Sequence, residues 1–179
     1  MLSAENADGK VSFDKMELRE LDADAPKKDK IAGKNMITST KWSFWKRSTG
    51  SSAAAPEAAD GSPQCRYIAD ADEACLRQEY TLKPGRRYLV RCRVKMENPG
   101  RGKVRLSARW QTTQGRWWSG HDASFDPQGG LEPGKWAEIS GTVTVPARSP
   151  RLSLQLGAEN VEGKVWFDAP ELYLLDDAQ

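Results

Sequence analysis

Histidine is almost missing from this sequence: His121 stands alone among 179 residues, so no His–His pair is available for a metal or an acid–base couple. Cysteine is scarce too, with Cys65, Cys75 and Cys92 at a spacing that matches no zinc site. No apolar run approaches the roughly 18–20 residues a membrane-spanning helix needs, which argues against a membrane partner. Neither sign of charge dominates: 27 Lys and Arg stand against 25 Asp and Glu, for a net charge of +2. A bulk electrostatic case for nucleic acid therefore fails. There is no P-loop, nucleophile elbow or helical zinc motif. The first residues, MLSAENADGKVSFD, lack both the basic start and the apolar core of a leader. The expectation is a segment excised from a longer protein, whose own address lies elsewhere.

What the sequence does have is tryptophan and alternation. Seven Trp against four Phe is an unusual ratio. Trp is costly to bury because its N–H needs a partner, so some of the seven are expected at the surface. Beyond residue 35 no helical period is sustained, and several runs alternate with period two. Residues 87–96 place Tyr88, Val90, Cys92, Val94 and Met96 on one face, with Arg91, Arg93 and Lys95 opposite. Residues 103–111 set Val104, Leu106, Ala108 and Trp110 against Arg105 and Arg109. Residues 137–145 and 151–156 alternate in the same way. Turn signals at Lys83-Pro84-Gly85, Asn98-Pro99-Gly100, Glu132-Pro133-Gly134 and Ser149-Pro150 separate the runs. Short strands, each with one apolar face, predict an all-β fold: a two-sheet antiparallel β-sandwich.

Residues 4–22, AENADGKVSFDKMELRELD, repeat as residues 158–176, AENVEGKVWFDAPELYLLD, with 12 of 19 positions identical. Both read as the closing strand of a module, preceded by a turn. Three segments follow: residues 1–22 as the terminal strand of a preceding repeat or an extra first strand, residues 23–34 as a linker, and residues 35–179 as one whole module. The parent protein then carries linked modules in tandem. The N-terminal strand either docks within its own chain or swaps between two copies as a dimer. Residues 48–63, STGSSAAAPEAADGSP, read as a long surface loop. Cys65 and Cys75 flank the turn-like YIADADEA, where either a cross-strand disulfide or two separate thiols would fit. Cys92 falls on an apolar face, as a core residue does.

The order of these elements carries a resemblance. A strand holds Leu76-Arg77-Gln78-Glu79-Tyr80-Thr81-Leu82, followed by Lys83-Pro84-Gly85 and Tyr88-Leu89-Val90. Later, Pro133-Gly134-Lys135-Trp136 leads into Gly141-Thr142-Val143-Thr144-Val145-Pro146, and the chain closes with Val165-Trp166-Phe167-Asp168 and Glu171-Leu172. Over residues 35–177 this resembles the jelly-roll carbohydrate-binding modules of the family 4, 9 and 22 group. The resemblance implies a jelly roll, binding of a polysaccharide or oligosaccharide, attachment to a glycoside hydrolase or related enzyme, and a secreted parent protein. It also implies a structural calcium near the chain ends. Asp168 stands at the matching position, whereas the acidic residue of the family's opening stretch is missing from Asn35-Met36-Ile37-Thr38-Ser39-Thr40.

Sugars are held by aromatic faces that stack on the ring and by planar polar groups that bond the hydroxyls. Gly115-Arg116-Trp117-Trp118-Ser119-Gly120-His121-Asp122 is the best local candidate for such a site. Adjacent residues in extended chain point opposite ways, so one of Trp117 and Trp118 is expected to stack on sugar and the other to anchor the loop. Trp45 is a further candidate, on the polar side of Lys41-Trp42-Ser43-Phe44-Trp45, with Phe44 assigned to the core. Trp110, Trp136 and Trp166 read as structural. Arg91, Arg93, Lys95, Arg105 and Arg109 are expected to share one sheet surface, which is either a groove suited to uronates or sulfates, or a solvated outer face. The predicted sugar contacts are thus Trp45, Arg91, Arg109, Arg116, Trp117, Trp118 and Asp122.

Glycoside hydrolysis needs two placed carboxylates. Asp122, Asp126, Glu132 and Glu138 show no convincing pair, so the chain is read as a non-enzyme that targets an attached enzyme to polysaccharide. The competing reading is a structural spacer or interaction domain without a sugar site.

Overall fold

The computed structural model describes residues 30–59 and 61–176. Eight strands appear in chain order: β1 (Ser43–Lys46), β2 (Ser51–Ala54), β3 (Arg66–Thr81), β4 (Arg87–Met96), β5 (Lys103–Gln111), β6 (Ala123–Phe125), β7 (Ala137–Thr144) and β8 (Arg151–Leu174). Two short 3-10 turns, Pro56–Ala59 and Ser119–His121, are the helical content among the described residues. No helix in them is long and apolar enough to cross a membrane.

The pairing is antiparallel throughout and divides into two sheets. In the first, residues 151–159 of β8 lie between residues 73–81 of β3 and β5, with β1 outside β3 and β6 outside β5. In the second, residues 165–174 of β8 pair with β4, which pairs onward with β7, while residues 66–69 of β3 join β8 to β2. The chain is therefore the two-sheet β-sandwich that the alternation predicts. Its two longest strands belong to both layers.

The crossing is built into both strands at one level. The register of β3 on β8 shifts between Ala69 and Ala71. Asp70 at φ 51° and Asn160 at φ 52° stand at the bend, and Asp and Asn tolerate this left-handed region better than most residues. The Asp70 carboxylate also accepts the Gly163 N–H at 2.9 Å. A bulge of this kind re-aims the strand, and along β8 the core face passes from Leu152, Leu154, Leu156 and Ala158 to Val161, Val165 and Phe167. YIADADEA is thus no turn but the middle of β3. Cys65 and Cys75 sit ten positions apart along one extended run, and all three cysteines are free thiols.

The apolar faces read from the sequence meet in the core. Tyr88, Val90, Cys92, Val94 and Met96 from β4 are buried, as are Val104, Leu106, Ala108 and Trp110 from β5 and Leu152, Leu154 and Leu156 from β8. Phe125 on β6 crosses to the other sheet and fills the hollow above Gly141 of β7, where a Cβ would lie 2.1 Å from its ring. Phe44 was expected in the core, yet it is 37% exposed. It pairs with the buried Leu76, but β1 is an edge strand, and no strand among the described residues pairs with its outer side.

Residues 48–63 are not a bare loop. They form β2 and a 3-10 turn, and they lay Ala55 and Ala59 with Cys65 against Tyr67, Trp136 and Trp166 in a second small apolar cluster. Lys95 lies 4.8 Å from the ring centroids of both Trp136 and Trp166. These two indoles are structural, as read. Residues 30–32, assigned to the linker, pair with the chain end instead: Ile31 bridges Leu175, and Ala32 N donates to Leu174 O at 2.8 Å. Asn35 adds a clasp by accepting the N–H groups of Ile37 and Leu172. The first copy of the repeat, and with it the question of docking or swapping, lies outside the described residues.

Candidate functional site

The outer surface of the first sheet carries the odd-numbered residues of β1, β3, β5 and β8 and Ser124 of β6, because period two sends their neighbours to the other face. Cross-strand register arranges them in rows. One row runs Ser43, Arg77, Gln155, Ser107, Ser124 across β1, β3, β8, β5 and β6. The next runs Trp45, Cys75, Gly157, Arg105, and the one after holds Glu73, Glu159 and Lys103. Gly157 has no side chain at the centre of the sheet, and the floor dips there. The result is a groove of about 470 Å³, within the usual range for small-molecule and sugar sites.

Two indoles border it. Trp45 rises from β1 at one edge and is 41% exposed. Trp117 comes from the loop beyond β5 and is 45% exposed. The Arg109 guanidinium backs the Trp117 ring at 4.7 Å from its centroid, a cation–π contact that steadies the indole. Asp122 fixes the loop to the sheet: one carboxylate oxygen accepts Trp110 N at 3.1 Å and the other accepts Arg109 Nε at 3.2 Å. Between these borders the floor is polar. Ser107 and Ser124 share a hydrogen bond of 2.9 Å, and Gln155 Nε2 donates to Ser153 Oγ at 3.2 Å.

The charges are largely matched. Arg105 pairs with Glu159 at 2.8 Å, Arg109 with Asp122 at 3.2 Å, and Arg47 reaches in from the rim to Glu73 at 2.5 Å. Glu73 and Glu159 face each other across β3 and β8, yet each is tied to its own guanidinium. Cys75 lies in the floor, where burial pushes its thiol up and the nearby Arg77 and Arg109 partly offset that push.

The structure thus brings together Trp45, Arg109, Trp117 and Asp122 from the predicted set. The other three are elsewhere. Arg91 is on β4 in the opposite sheet, bound to Glu171 and stacked 5.9 Å from the Tyr173 centroid. Arg93 and Lys95 share that sheet, so the single basic surface expected from β4 and β5 does not exist. Arg116 belongs to the Thr112–Arg116 turn, its N–H donating to Thr112 Oγ1, and does not line the groove. Trp118 does not line the groove. It is 40% exposed, and its backbone N–H donates to Trp110 O at 2.8 Å. Arg77, Gln155 and Gly157 were not foreseen. Their signal was a glycine inside an alternating strand, together with the odd-numbered polar positions of β3 and β8.

Asp168 occupies a different place from a metal ligand. It is fully buried. One carboxylate oxygen accepts the Ser62 hydroxyl and the other is paired with Arg93. Among the described residues no group of three His, Cys, Asp or Glu side chains converges on any point. A guanidinium already supplies the cation that Asp168 needs, so these residues do not fit a calcium.

No protein-family model matches the chain, and no curated protein matches it in sequence. Solved structures do match in shape. The xylan-binding domain CBM22-1 of Paenibacillus barcinonensis Xyn10C superposes with a TM-score of 0.56 at 13% identity, over 75% of this chain and 87% of that one. The CBM22-1–GH10 modules of Clostridium thermocellum xylanase 10B, solved with xylohexaose, give 0.56 at 15% identity, over 78% of this chain and 27% of that one. The enzymatically active domain of bacteriophage CBA120 tailspike protein 4 gives 0.55 at 13% identity over 75% of this chain, which spans 19% of that domain. The chain has the jelly-roll fold found in carbohydrate-binding modules.

Proposed function

We propose that this chain is a non-catalytic module that holds a polysaccharide or oligosaccharide in the groove of its first sheet. The observation that carries the reading is the pairing of two exposed indoles, Trp45 and Trp117, with a hydrogen-bonding floor across one open groove. Indole faces suit the C–H face of a pyranose. Ser107 and Ser124 can exchange their mutual bond, and Gln155 its bond to Ser153, for sugar hydroxyls. The fold shared with CBM22 domains, one of them described as xylan-binding, supports the same conclusion.

The carboxylates support binding over hydrolysis. Glu73, Glu159 and Asp122 are each engaged by an arginine, which leaves the groove no free acid among the described residues to protonate a leaving group. In the parent protein the module would be secreted, linked to neighbouring modules, and would keep an attached enzyme near its polymer. A spacer role has one observation in its favour: three of the groove's ion pairs are complete without a ligand. Affinity electrophoresis through gels containing neutral and uronic-acid polysaccharides separates the two. Retardation by at least one polymer, with no sugar released from it, is expected. A folded protein that none of them retards would be a spacer.

A further inference from the structure

Three arginines and three carboxylates line the groove, but they do not pair off among themselves. Glu73 is taken by Arg47 from the rim, Glu159 by Arg105 and Asp122 by Arg109. Arg77 is left over. Its side chain has no hydrogen-bond acceptor, ion-pair partner or aromatic ring among the described residues, although Arg77 is half-buried in the middle of β3. Such a guanidinium, flanked by Cys75 and Gln155 and partly withdrawn from water, is a poor place to leave five N–H donors idle. Arg77 also lines an adjoining hollow bounded by Ser39, Lys41 and Ser43. A glycan lying across β1 and β3 would therefore pass directly over it. Lys41 carries a second positive charge in that hollow and has no ion-pair partner among the described residues.

We infer that the groove selects an acidic glycan, with the carboxylate of a uronate residue seated on Arg77 and Lys41 beside it. This rests on the proposed sugar-binding groove and adds the class of ligand. A carboxylate matches the planar fork of a guanidinium with two parallel hydrogen bonds, which a hydroxyl cannot do. Neutral sugars would occupy the same indoles and leave Arg77 unmatched.

The test uses a uronic-acid-substituted xylan, the same polymer after chemical reduction of its carboxyls to alcohols, and dextran sulfate. Affinities are measured for the wild type, Arg77→Gln and Arg77→Lys. The wild type should bind the acidic polymer about tenfold or more tighter than its reduced form, and that preference should shrink as salt rises. Arg77→Gln should bring the ratio of the two affinities close to one. Arg77→Lys, which keeps the charge but loses the fork, should fall between. Arg77 holds nothing in the fold, so both variants should melt with the wild type. Equal affinity for the two xylans, unchanged by Arg77→Gln, overturns the inference and leaves sugar binding standing. Binding to dextran sulfate alone overturns it in favour of a sulfated glycan. If no polymer binds, sugar binding falls and this assignment with it.

Discussion

Truncating Arg93 to alanine tests how the closing strand is held. Asp168 is fully buried, while the Arg93 side chain is 48% exposed. Removing the guanidinium leaves a carboxylate inside the protein with the Ser62 hydroxyl as its remaining partner. Breaking a buried pair from one side costs about 3–5 kcal/mol. Half of this pair's cation is in water, so the cost drops to the bottom of that range or just under it, about 2–3 kcal/mol. Arg93 also stacks 5.1 Å from the Trp136 centroid, and losing that exposed contact adds about 0.5–1 kcal/mol. Urea unfolding followed by tryptophan fluorescence should show a loss near 3 kcal/mol in total, with an unchanged slope. Adding Asp168→Asn to Arg93→Ala should then recover about 1–2 kcal/mol, because the stranded charge is gone. The wild-type midpoint should not respond to a chelator. If Arg93→Ala costs under about 1 kcal/mol, if the double variant is no more stable than the single one, or if a chelator lowers the midpoint, the ion pair is not what satisfies Asp168.

Three further outcomes follow from the structure. Trp117→Ala should weaken glycan binding about tenfold or more through lost apolar contact, while Trp118→Ala should not; equal losses at both positions would contradict the groove. Asp72 is held ionised mainly by the Ser48 hydroxyl, at 2.5 Å, with the backbone N–H groups of Glu73 and Thr49 assisting, so its pKa lies well below the usual carboxylate value. A depressed folded pKa gives stability that is present above the unfolded value of about 3.9 and lost as pH falls toward the folded one, so Asp72→Asn should flatten the acid end of a stability-versus-pH curve; an unchanged curve would show that the carboxylate contributes nothing there. Burial raises all three thiols, Cys65 to about 11, so a thiol reagent near neutral pH should react slowly with the native protein and find three equivalents after unfolding; fewer than three would reveal a disulfide.

The parts of the fold that local pattern controls were legible. β4, β5, β7 and the start of β8 each bury one face against the core, and period two exposes that directly. β3 was not legible, because the bulge breaks its alternation: the core residues Ile68, Ala71, Ala74 and Leu76 follow no steady period of two. The acidic residues around Asp70 then imitate a turn. Arg91 and Arg109 have the same local pattern but belong to different sheets, which is decided by which half of β8 each strand pairs with. That choice is made by contacts far apart in sequence. Trp117 and Asp122 were visible as a cluster, and Trp45 as the odd residue of its strand. Arg77 and Gln155 look like any solvated strand face until register places them beside Gly157. Residues 48–63 looked like loop because alanine has no period to show, and small size is what lets Ala55, Ala58 and Ala59 pack in one cluster with Trp136 and Trp166.

The groove itself is tested most directly by filling it. A Cβ on Gly157 would meet Arg105 Cγ at 3.5 Å and backbone oxygens beyond that, all ordinary contacts, and its φ is not positive. Gly157→Leu should therefore fold while its side chain occupies the floor between Trp45 and Trp117. Titration calorimetry with the polysaccharide that retards the wild type should show binding lost in Gly157→Leu at an unchanged melting temperature. A folded Gly157→Leu variant that binds as tightly as the wild type would place the ligand elsewhere and contradict the account.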